Sequence, residues 1–412
     1  MAASERLEVK QLARGRLRLR ALGGVLAAAL LVALVWRVAT EPAPALVVQR
    51  TLAPYVRFPG TEPALAWPRE GQAAVEVGGL GSFGTAGAQT PAPIASVAKV
   101  MTAYLTLRAH PLAAGTEGFQ MTVTPGAVAE ERRRAALGQS TVVVRAGERL
   151  SELQALRALL LPSANNVAIM LAEHDPGGVA GFVARMNATA RMLGMDSTTY
   201  TDPSGYREST VSTAADQLRL ARAAMHNRVF AAIVAEPTAQ LPVAGTVTNY
   251  NGLLGGDGYV GVKTGSDRAA GGCLMFAKRI AVAGRRLTVL GVVLGQREGS
   301  PVEAALASGA RLGDSAAAAV RVATVLPAGT NALAVASADG QRVTGVTAGP
   351  LRAVGWSGLS LAVRTGAGMP SGRLRAGDRV GTVGIADAGP TPVLASGSLR
   401  AASLGWRLAH LL

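Results

Sequence analysis

Apolar residues recur at Val97, Val100, Met101, Tyr104 and Leu105, the i, i+3, i+4, i+7, i+8 spacing of a helix with one buried face, and Pro93 precedes it. A second helical pattern opens at Ser151, with Gln154 three residues on as in a capping box, and carries Leu153, Leu156 and Leu160. Pro162-Ser163 interrupts it, Val167 to Glu173 resumes a helical run, and further helical stretches occupy roughly 179–194 and 213–226. The pattern is β at Ala73–Val77, where the Gly-rich stretch Gly78–Gly87 predicts a hairpin turn. It is β again at Tyr259–Thr264, Gly272–Ile280 and Leu287–Leu294, with Ala283-Gly284 in a tight turn between the last two. Ser300-Pro301-Val302-Glu303 then marks a helix start, with a cap, a proline at the first position and an acid at the third. Together these elements predict an α/β domain whose antiparallel sheet carries helices on both faces. After residue 318 short β-like segments (Val320–Val325, Ala332–Ala336, Arg342–Val346) alternate with turns, as in a small all-β domain of about 80 residues.

The ends of the chain follow a different pattern. Arg6, Lys10, Arg14, Arg16, Arg18 and Arg20 precede an apolar run from Ala21 to Val35. A basic flank before an apolar segment keeps the N-terminus in the cytoplasm and sends the remainder across a membrane. Two outcomes stay open: a retained signal anchor, or a cleaved signal with a small-residue site near Ala43-Pro44-Ala45. Pro42, Pro44, Pro54, Pro59, Pro63 and Pro68 make the following stretch an expected extended linker. The division expected is therefore 1–45 basic tail and signal or anchor, 46–64 linker, 65–318 main α/β domain and 319–412 small β-rich domain. Leu404, Trp406, Leu408, Leu411 and Leu412 around Arg407 and His410 form either a short membrane-surface helix or, the reading preferred, an ordinary closing element.

At 412 residues and 49% hydrophobic content, the chain has ample material for a core. Its net charge is +15, to which the first 20 residues contribute +4. Aromatics make up only 4% and no nucleic-acid motif is present, so no nucleic-acid partner is expected; either acidic lipid headgroups or acidic wall polymers suit the charge, or it reflects an arginine-rich composition with no function of its own. Cys273 is the only cysteine, which excludes an intrachain disulfide, and its apolar surroundings suggest a small buried hydrophobe. The four histidines are scattered, so neither a metal site nor a Ser-His-Asp arrangement is expected, and no cofactor is implied. Any base for a serine nucleophile would then be a lysine.

Three strings carry that chemistry: Ser96-Val97-Ala98-Lys99, Ser163-Ala164-Asn165 and Lys263-Thr264-Gly265. Each alone has a plain explanation, as a helix cap, an interhelical turn or a basic strand end. In this order and context they fit one site. Ser96 falls at a helix start, where unpaired N–H groups and the dipole favour negative charge, and Lys99 lies three residues on along the same face. Burial would lower the lysine's pKa and let it accept the serine proton. Ser163 and Asn165 occupy a helix break that can push a hydroxyl and an amide into a cleft. Lys263 and Thr264 end a strand, with Gly265 expected to leave room for a substrate at the strand edge.

With Leu159-Leu160-Leu161-Pro162-Ser163-Ala164-Asn165-Asn166, Met186-Asn187, Asp202-Pro203-Ser204-Gly205 and Gly261-Val262-Lys263-Thr264-Gly265, the chain resembles the low-molecular-mass D-alanyl-D-alanine carboxypeptidases over roughly residues 65–315. The resemblance implies a β-lactamase/transpeptidase-like fold, with Ser96 acylated by the penultimate D-Ala of a peptidoglycan stem peptide or by a penicillin. It implies Lys99 as base, Ser163 as proton relay, and Asn165, Lys263 and Thr264 as substrate contacts. The oxyanion hole would use the N–H groups of Ser96 and Ser266. Two departures stand out: Asn166 where the family often has Asp, and an uncharged Thr85–Pro93. A β-lactamase-type hydrolase is disfavoured because residues 166–262 contain no Glu-x-x-Leu-Asn, and a non-catalytic muropeptide sensor would not need the lysine-activated serine. Oligomeric state is not encoded in any of these features.

Overall fold

The computed structural model describes residues 2–40, 46–368, 370, 373–385, 388–400 and 402–409. The small-residue cleavage site expected near Ala43-Pro44-Ala45, with Pro42, lies outside the described residues, as do His410, Leu411 and Leu412. Two compact units result: Gly60–Val322 with Val354–Leu359, and Met1–Pro59 with Ala323–Ala353 and Ser360–Leu412.

The first unit is built on a five-stranded antiparallel sheet in the order Tyr259–Asp267, Gly271–Val282, Arg285–Gln296, Gln72–Val77, Gly81–Ala86. Successive side chains point to opposite faces of a strand, and here the alternation divides residues between two cores. Ala73, Val75, Val77, Leu274 and Phe276 pack in one cluster with Leu312 and Ala316 of the helix Pro301–Ala319. Ala74, Cys273, Met275 and Ala277 pack in the other, with the helical residues Val100, Leu156 and Val167. Buried on both faces, the central strands read as continuous apolar runs, which accounts for the sandwiched sheet expected from sequence. Gly313 allows the Pro301–Ala319 helix its close approach, since a Cβ there would come within 2.6 Å of the Tyr259 hydroxyl and 3.0 Å of the Phe276 ring.

Most expected elements lie where the periodicity put them: helices Lys99–Ala109, Glu152–Leu160, Asn165–His174, Gly178–Met192 and Ala214–Met225 form the helical layer. The Ser151 capping box is present in both directions, side chain to backbone and back. Ala283 and Gly284 both have positive φ, as a two-residue hairpin of the primed type requires. Two expectations need correction. The Gly-rich stretch turns only at its start, and Gly81–Ala86 is itself the edge strand, with Gly81 and Gly84 at positive φ. Glycine there permits an irregular edge where an ordinary strand signal would be absent.

The second correction concerns the Pro-rich stretch. In the other unit a seven-stranded sheet runs Val47–Arg50, Asn331–Ala336, Arg342–Thr347, Ala388–Ala395, Arg379–Ile385, Ser360–Ala367, Tyr55–Arg57. Val47–Arg50 pairs with Asn331–Ala336, and Tyr55–Arg57 pairs with Ser360–Ala367, both antiparallel. Residues 47–57, expected as linker, therefore supply both edges of the sheet. Proline-flanked extended backbone lacks the donors for a central position and suits an edge. Leu333, Val335, Val380, Val383 and Val393 are buried in its core. The N-terminal helix Ala2–Thr40 contains a stretch, Arg14–Thr40, of 27 residues with mean hydropathy 2.1 and 6% of its most apolar window buried. The described part of the C-terminal segment is a short helix, Leu404–Ala409.

The Ser151 hydroxyl accepts from the Gln154 N–H at 3.1 Å and donates to Glu117. Ser151→Ala removes both bonds. We expect a loss of about 1–2 kcal/mol, read as a lower denaturant midpoint at unchanged slope.

Candidate active site

Ser96 lies in the 3₁₀ turn Ala95–Ala98, directly before the α-helix that begins at Lys99. The sequence placed it at the start of the helix, and the structure places it in the 3₁₀ turn that leads into that helix. Ile94, Val97, Ala98, Val100 and Met101 are fully buried around it, so the turn is anchored in the core. Lys99 is fully buried, and its Nζ donates to Ser96 Oγ at 2.7 Å and to the Ser204 carbonyl at 2.9 Å.

The Ser204 carbonyl is held by a clamp whose role the sequence did not reveal. The buried Asp202 carboxylate accepts from the Ser204 N–H at 3.0 Å, the Tyr206 N–H at 3.1 Å and the Thr210 hydroxyl at 2.8 Å. Thr102, one turn along from Lys99, donates to the Pro203 carbonyl at 2.6 Å. Gly205, at φ +78°, lies against the nucleophile turn so closely that a Cβ would collide with the Ala95 carbonyl. The Asp202-Pro203-Ser204-Gly205 string thus serves as the rigid back wall of the Ser96–Lys99 pair.

Ser163 sits between the helices Glu152–Leu160 and Asn165–His174 with φ +65°, a left-handed conformation uncommon for serine. Its hydroxyl is buried with no hydrogen-bond partner among the described residues. Asn165 donates from Nδ2 to Gln139 Oε1 at 2.9 Å, while its Oδ1 is buried and unpartnered. Two orphaned polar atoms in one loop are costly unless something completes them. Asn166 has a definite job. Its Nδ2 donates to the Val142 carbonyl at 3.0 Å and its Oδ1 accepts the Val142 N–H at 3.2 Å. An ionised Asp at this position could accept from the N–H but not donate, and would set its charge against that carbonyl.

Lys263 and Thr264 are buried on Tyr259–Asp267, an edge strand of the five-stranded sheet, and Lys263 Nζ donates to the Thr264 carbonyl at 2.9 Å. Gly265 was expected to make room for a substrate. Within the protein itself, the nearest atoms to a Cβ there would be the Ser96 N at 2.8 Å and the Val97 N at 3.0 Å. Glycine is needed because the strand passes directly over the nucleophile's own amide. Ser266 follows, exposed, on the same strand. Ser96, Lys99 and the Lys263–Ser266 strand are therefore brought together. Asn165 is linked through the Gln139 oxygen to Arg134, whose Nη1 donates to that oxygen at 2.8 Å. No sequence signal distinguished Arg134 from the neighbouring Arg132 and Arg133.

Burial pushes the Lys99 pKa well below the ordinary lysine range; the charge of Lys263 lowers it further, Asp202 opposes this, and Arg134 adds to the lowering. Burial alone brings Lys263 down to about 7. A neutral amine 2.7 Å from a hydroxyl can take its proton, and a second amine poised near neutrality can gain charge when a carboxylate arrives. Cys273 is fully buried and its thiol is pushed up to about 12, so it takes no part. Among the described residues no group of three His, Cys, Asp or Glu side chains is arranged to hold a metal ion.

A serine whose hydroxyl contacts a buried lysine, beneath the edge strand of a helix-flanked antiparallel sheet, defines the class of lysine-assisted serine acyl-transfer proteins. A family profile for D-alanyl-D-alanine carboxypeptidases matches residues 85–298, just over half of the chain, and the chain belongs to that family. A D-alanyl-D-alanine carboxypeptidase of Mycobacterium tuberculosis is 41% identical over 167 residues, 39% of this chain and 56% of the relative. The chain spans between 38% and 58% of the length of the first four curated relatives it matches. The crystal structure of the Streptomyces K15 DD-transpeptidase aligns over 62% of this chain and 98% of its own, at 27% identity and a TM-score of 0.52. The D-alanyl-D-alanine carboxypeptidase structure from Francisella tularensis covers 83% of this chain and 96% of its own, at 20% identity and a TM-score of 0.58, a likeness of fold.

The depressed lysines affect stability as well. Between pH about 7 and the ordinary lysine range, the unfolded chain holds a proton on Lys263 that the folded chain lacks, so stability rises with pH across this window. Lys99 acts in the same direction. Lys263→Met should flatten part of that rise, by on the order of 2 kcal/mol between pH 7 and 9, measured by denaturant unfolding of both proteins across the window.

Proposed function

We propose that the protein is a serine D,D-carboxypeptidase that removes the terminal D-Ala of peptidoglycan stem pentapeptides and is also acylated by penicillins. The 2.7 Å contact between Ser96 Oγ and the buried Lys99 amine is the observation that carries this reading. Lys99, neutral, takes the proton of Ser96 as Oγ attacks the carbonyl carbon of the penultimate D-Ala. The oxyanion that forms is held by the Ser96 and Ser266 N–H groups. Breaking the C–N bond requires a proton on the departing nitrogen, which returns from Lys99 through the Ser163 hydroxyl and releases free D-Ala. Water then attacks the ester on Ser96, again with Lys99 as base, and restores the serine. Lys263 and Thr264 bind the terminal carboxylate, and Asn165 hydrogen-bonds the substrate backbone. A β-lactam follows the first half of this path, its ring amide standing in for the peptide bond.

The helix Arg14–Thr40 is long enough for a spanning segment, which needs about 20 residues. Its basic flank at Arg14, Arg16, Arg18 and Arg20 supports a cytoplasmic N-terminus with the peptidase on the outer side, where peptidoglycan lies. Retention in the membrane fraction after alkaline carbonate extraction supports an anchor; a soluble, shortened chain indicates cleavage.

Ser96→Ala should abolish covalent labelling by a fluorescent penicillin and the release of D-Ala from a D-Ala-D-Ala pentapeptide. Full-strength labelling in that variant would overturn the assignment. A pure sensor would label at Ser96 yet release no D-Ala. The pH profile of acylation should fall on the acid side as Lys99 is protonated, and on the alkaline side as Lys263, at about 7 in the free protein, loses its charge. Lys263→Ala should raise KM at least tenfold, corresponding to about 1.4 kcal/mol of lost carboxylate binding.

A further inference from the structure

An amide side chain is nearly symmetric in shape, so what decides which end of Asn165 faces the cleft is its hydrogen-bond neighbours. Those neighbours form a chain with a fixed polarity. Arg134 lies on the helix Pro125–Ala136, side chain 11% exposed, and its Nη2 pairs with Glu130 at 2.7 Å. Glu130 in turn holds Arg133 at 2.8 Å, which keeps the acidic anchor in place. From Nη1, Arg134 donates to Gln139 Oε1 at 2.8 Å. A guanidinium has five donors and no acceptor. Gln139 must therefore present its oxygen to it, never its NH₂. That same oxygen accepts Asn165 Nδ2 at 2.9 Å, so Asn165 must turn its NH₂ towards Gln139 and its Oδ1 away. The Oδ1 is then left buried and unpartnered, beside a loop whose Ser163 hydroxyl is likewise unpartnered.

From this we infer that Arg134 is a positioning residue for substrate capture, setting the orientation of the Asn165 amide through the Gln139 oxygen. The inference rests on the peptidase reading above. Backbone contacts already place the two partners: Gln139 N–H donates to the Arg134 carbonyl at 3.1 Å and Asn165 N–H to the Ser140 carbonyl at 2.8 Å. What Arg134 adds is the sense of the amides. Without it Gln139 is free to flip, Asn165 can flip with it, and the acceptor held ready in the cleft is replaced by a donor.

The test uses the full chain, with four single variants and two double variants. Gln139→Leu breaks the chain without changing charge, and Arg134→Met removes its polar origin. Each should lower kcat/KM for a D-Ala-D-Ala pentapeptide ten- to thirtyfold, mostly through KM. Gln139→Glu keeps two acceptor oxygens facing Arg134 and Asn165, and should stay within threefold of the unsubstituted protein. In the Asn165→Ala background neither Gln139→Leu nor Arg134→Met should cost more than a further twofold in the rate of acylation by a fluorescent penicillin, read on the plateau of the pH profile where Lys99 is neutral with or without the Arg134 charge, because the group they act through is gone. Additive losses in that background, or an unchanged KM in Gln139→Leu, would overturn the inference. Gln139 is only half-buried, so melting curves of its variants check that the fold is intact. If the unsubstituted protein fails to label with penicillin, the peptidase reading falls and the inference with it. Normal labelling with additive losses removes the inference alone.

Discussion

The contact between Ser96 and the fully buried amine of Lys99 sets the terms for the surrounding structure. A protonated lysine with no water around it costs several kcal/mol, and this fold responds by favouring the neutral form. For the neutral amine to be useful it must still be aimed, and among the described residues two hydrogen-bond partners aim it: Ser96 Oγ and the Ser204 carbonyl. The Asp202 carboxylate is satisfied within its own loop by the Ser204 and Tyr206 amides and the Thr210 hydroxyl. It fixes the carbonyl while remaining close enough to temper the lysine's loss of charge.

That pair has little freedom on any side. The strand bearing Lys263 crosses it at the one residue, Gly265, that has no side chain to collide with the Ser96 amide. Gly205 does the same from behind, against the Ala95 carbonyl. The site is thus made from chain segments more than a hundred residues apart that meet at backbone distance. Such closeness suits chemistry that depends on oxyanion donors already in place before the substrate arrives. The Ser163 hydroxyl and the Asn165 Oδ1 have no partner among the described residues, which is the complementary arrangement: the fold leaves incomplete what a ligand can complete.

Much of this was legible in the amino-acid sequence because the governing interactions are local. Helical periodicity placed Val97 to Leu105, the Ser151–Gln154 pair announced a cap that the structure contains, and Ala283-Gly284 announced a hairpin. The Ser-x-x-Lys string carried a real distance, because three residues on one helical turn fix the separation of their side chains. What escaped was non-local. Residues 47–57 carry no sign of their strand partners, which lie near residues 333 and 361, so their prolines read as linker. Asn166 looked like a lost charge because its partner is the backbone of Val142, which no side-chain pattern reveals. For Gly265 the absence of a Cβ was legible, but its close approach to the Ser96 amide, a contact between distant segments, was not. Arg134 sat unnoticed within a run of three arginines, and only burial separates it from its exposed neighbours.

The two edge strands taken from residues 47–57 impose an order on biosynthesis. The chain is made from its N-terminus, and Val47–Arg50 and Tyr55–Arg57 emerge before the whole stretch Gly60–Val322. Their partners, Asn331–Ala336 and Ser360–Ala367, are synthesised only after that stretch is complete. At translation rates of about 5–20 residues per second, the early strands wait on the order of half a minute with unsatisfied backbone. Their brevity and their proline neighbours are suited to that interval, because short, proline-flanked segments make poor templates for pairing with another nascent chain.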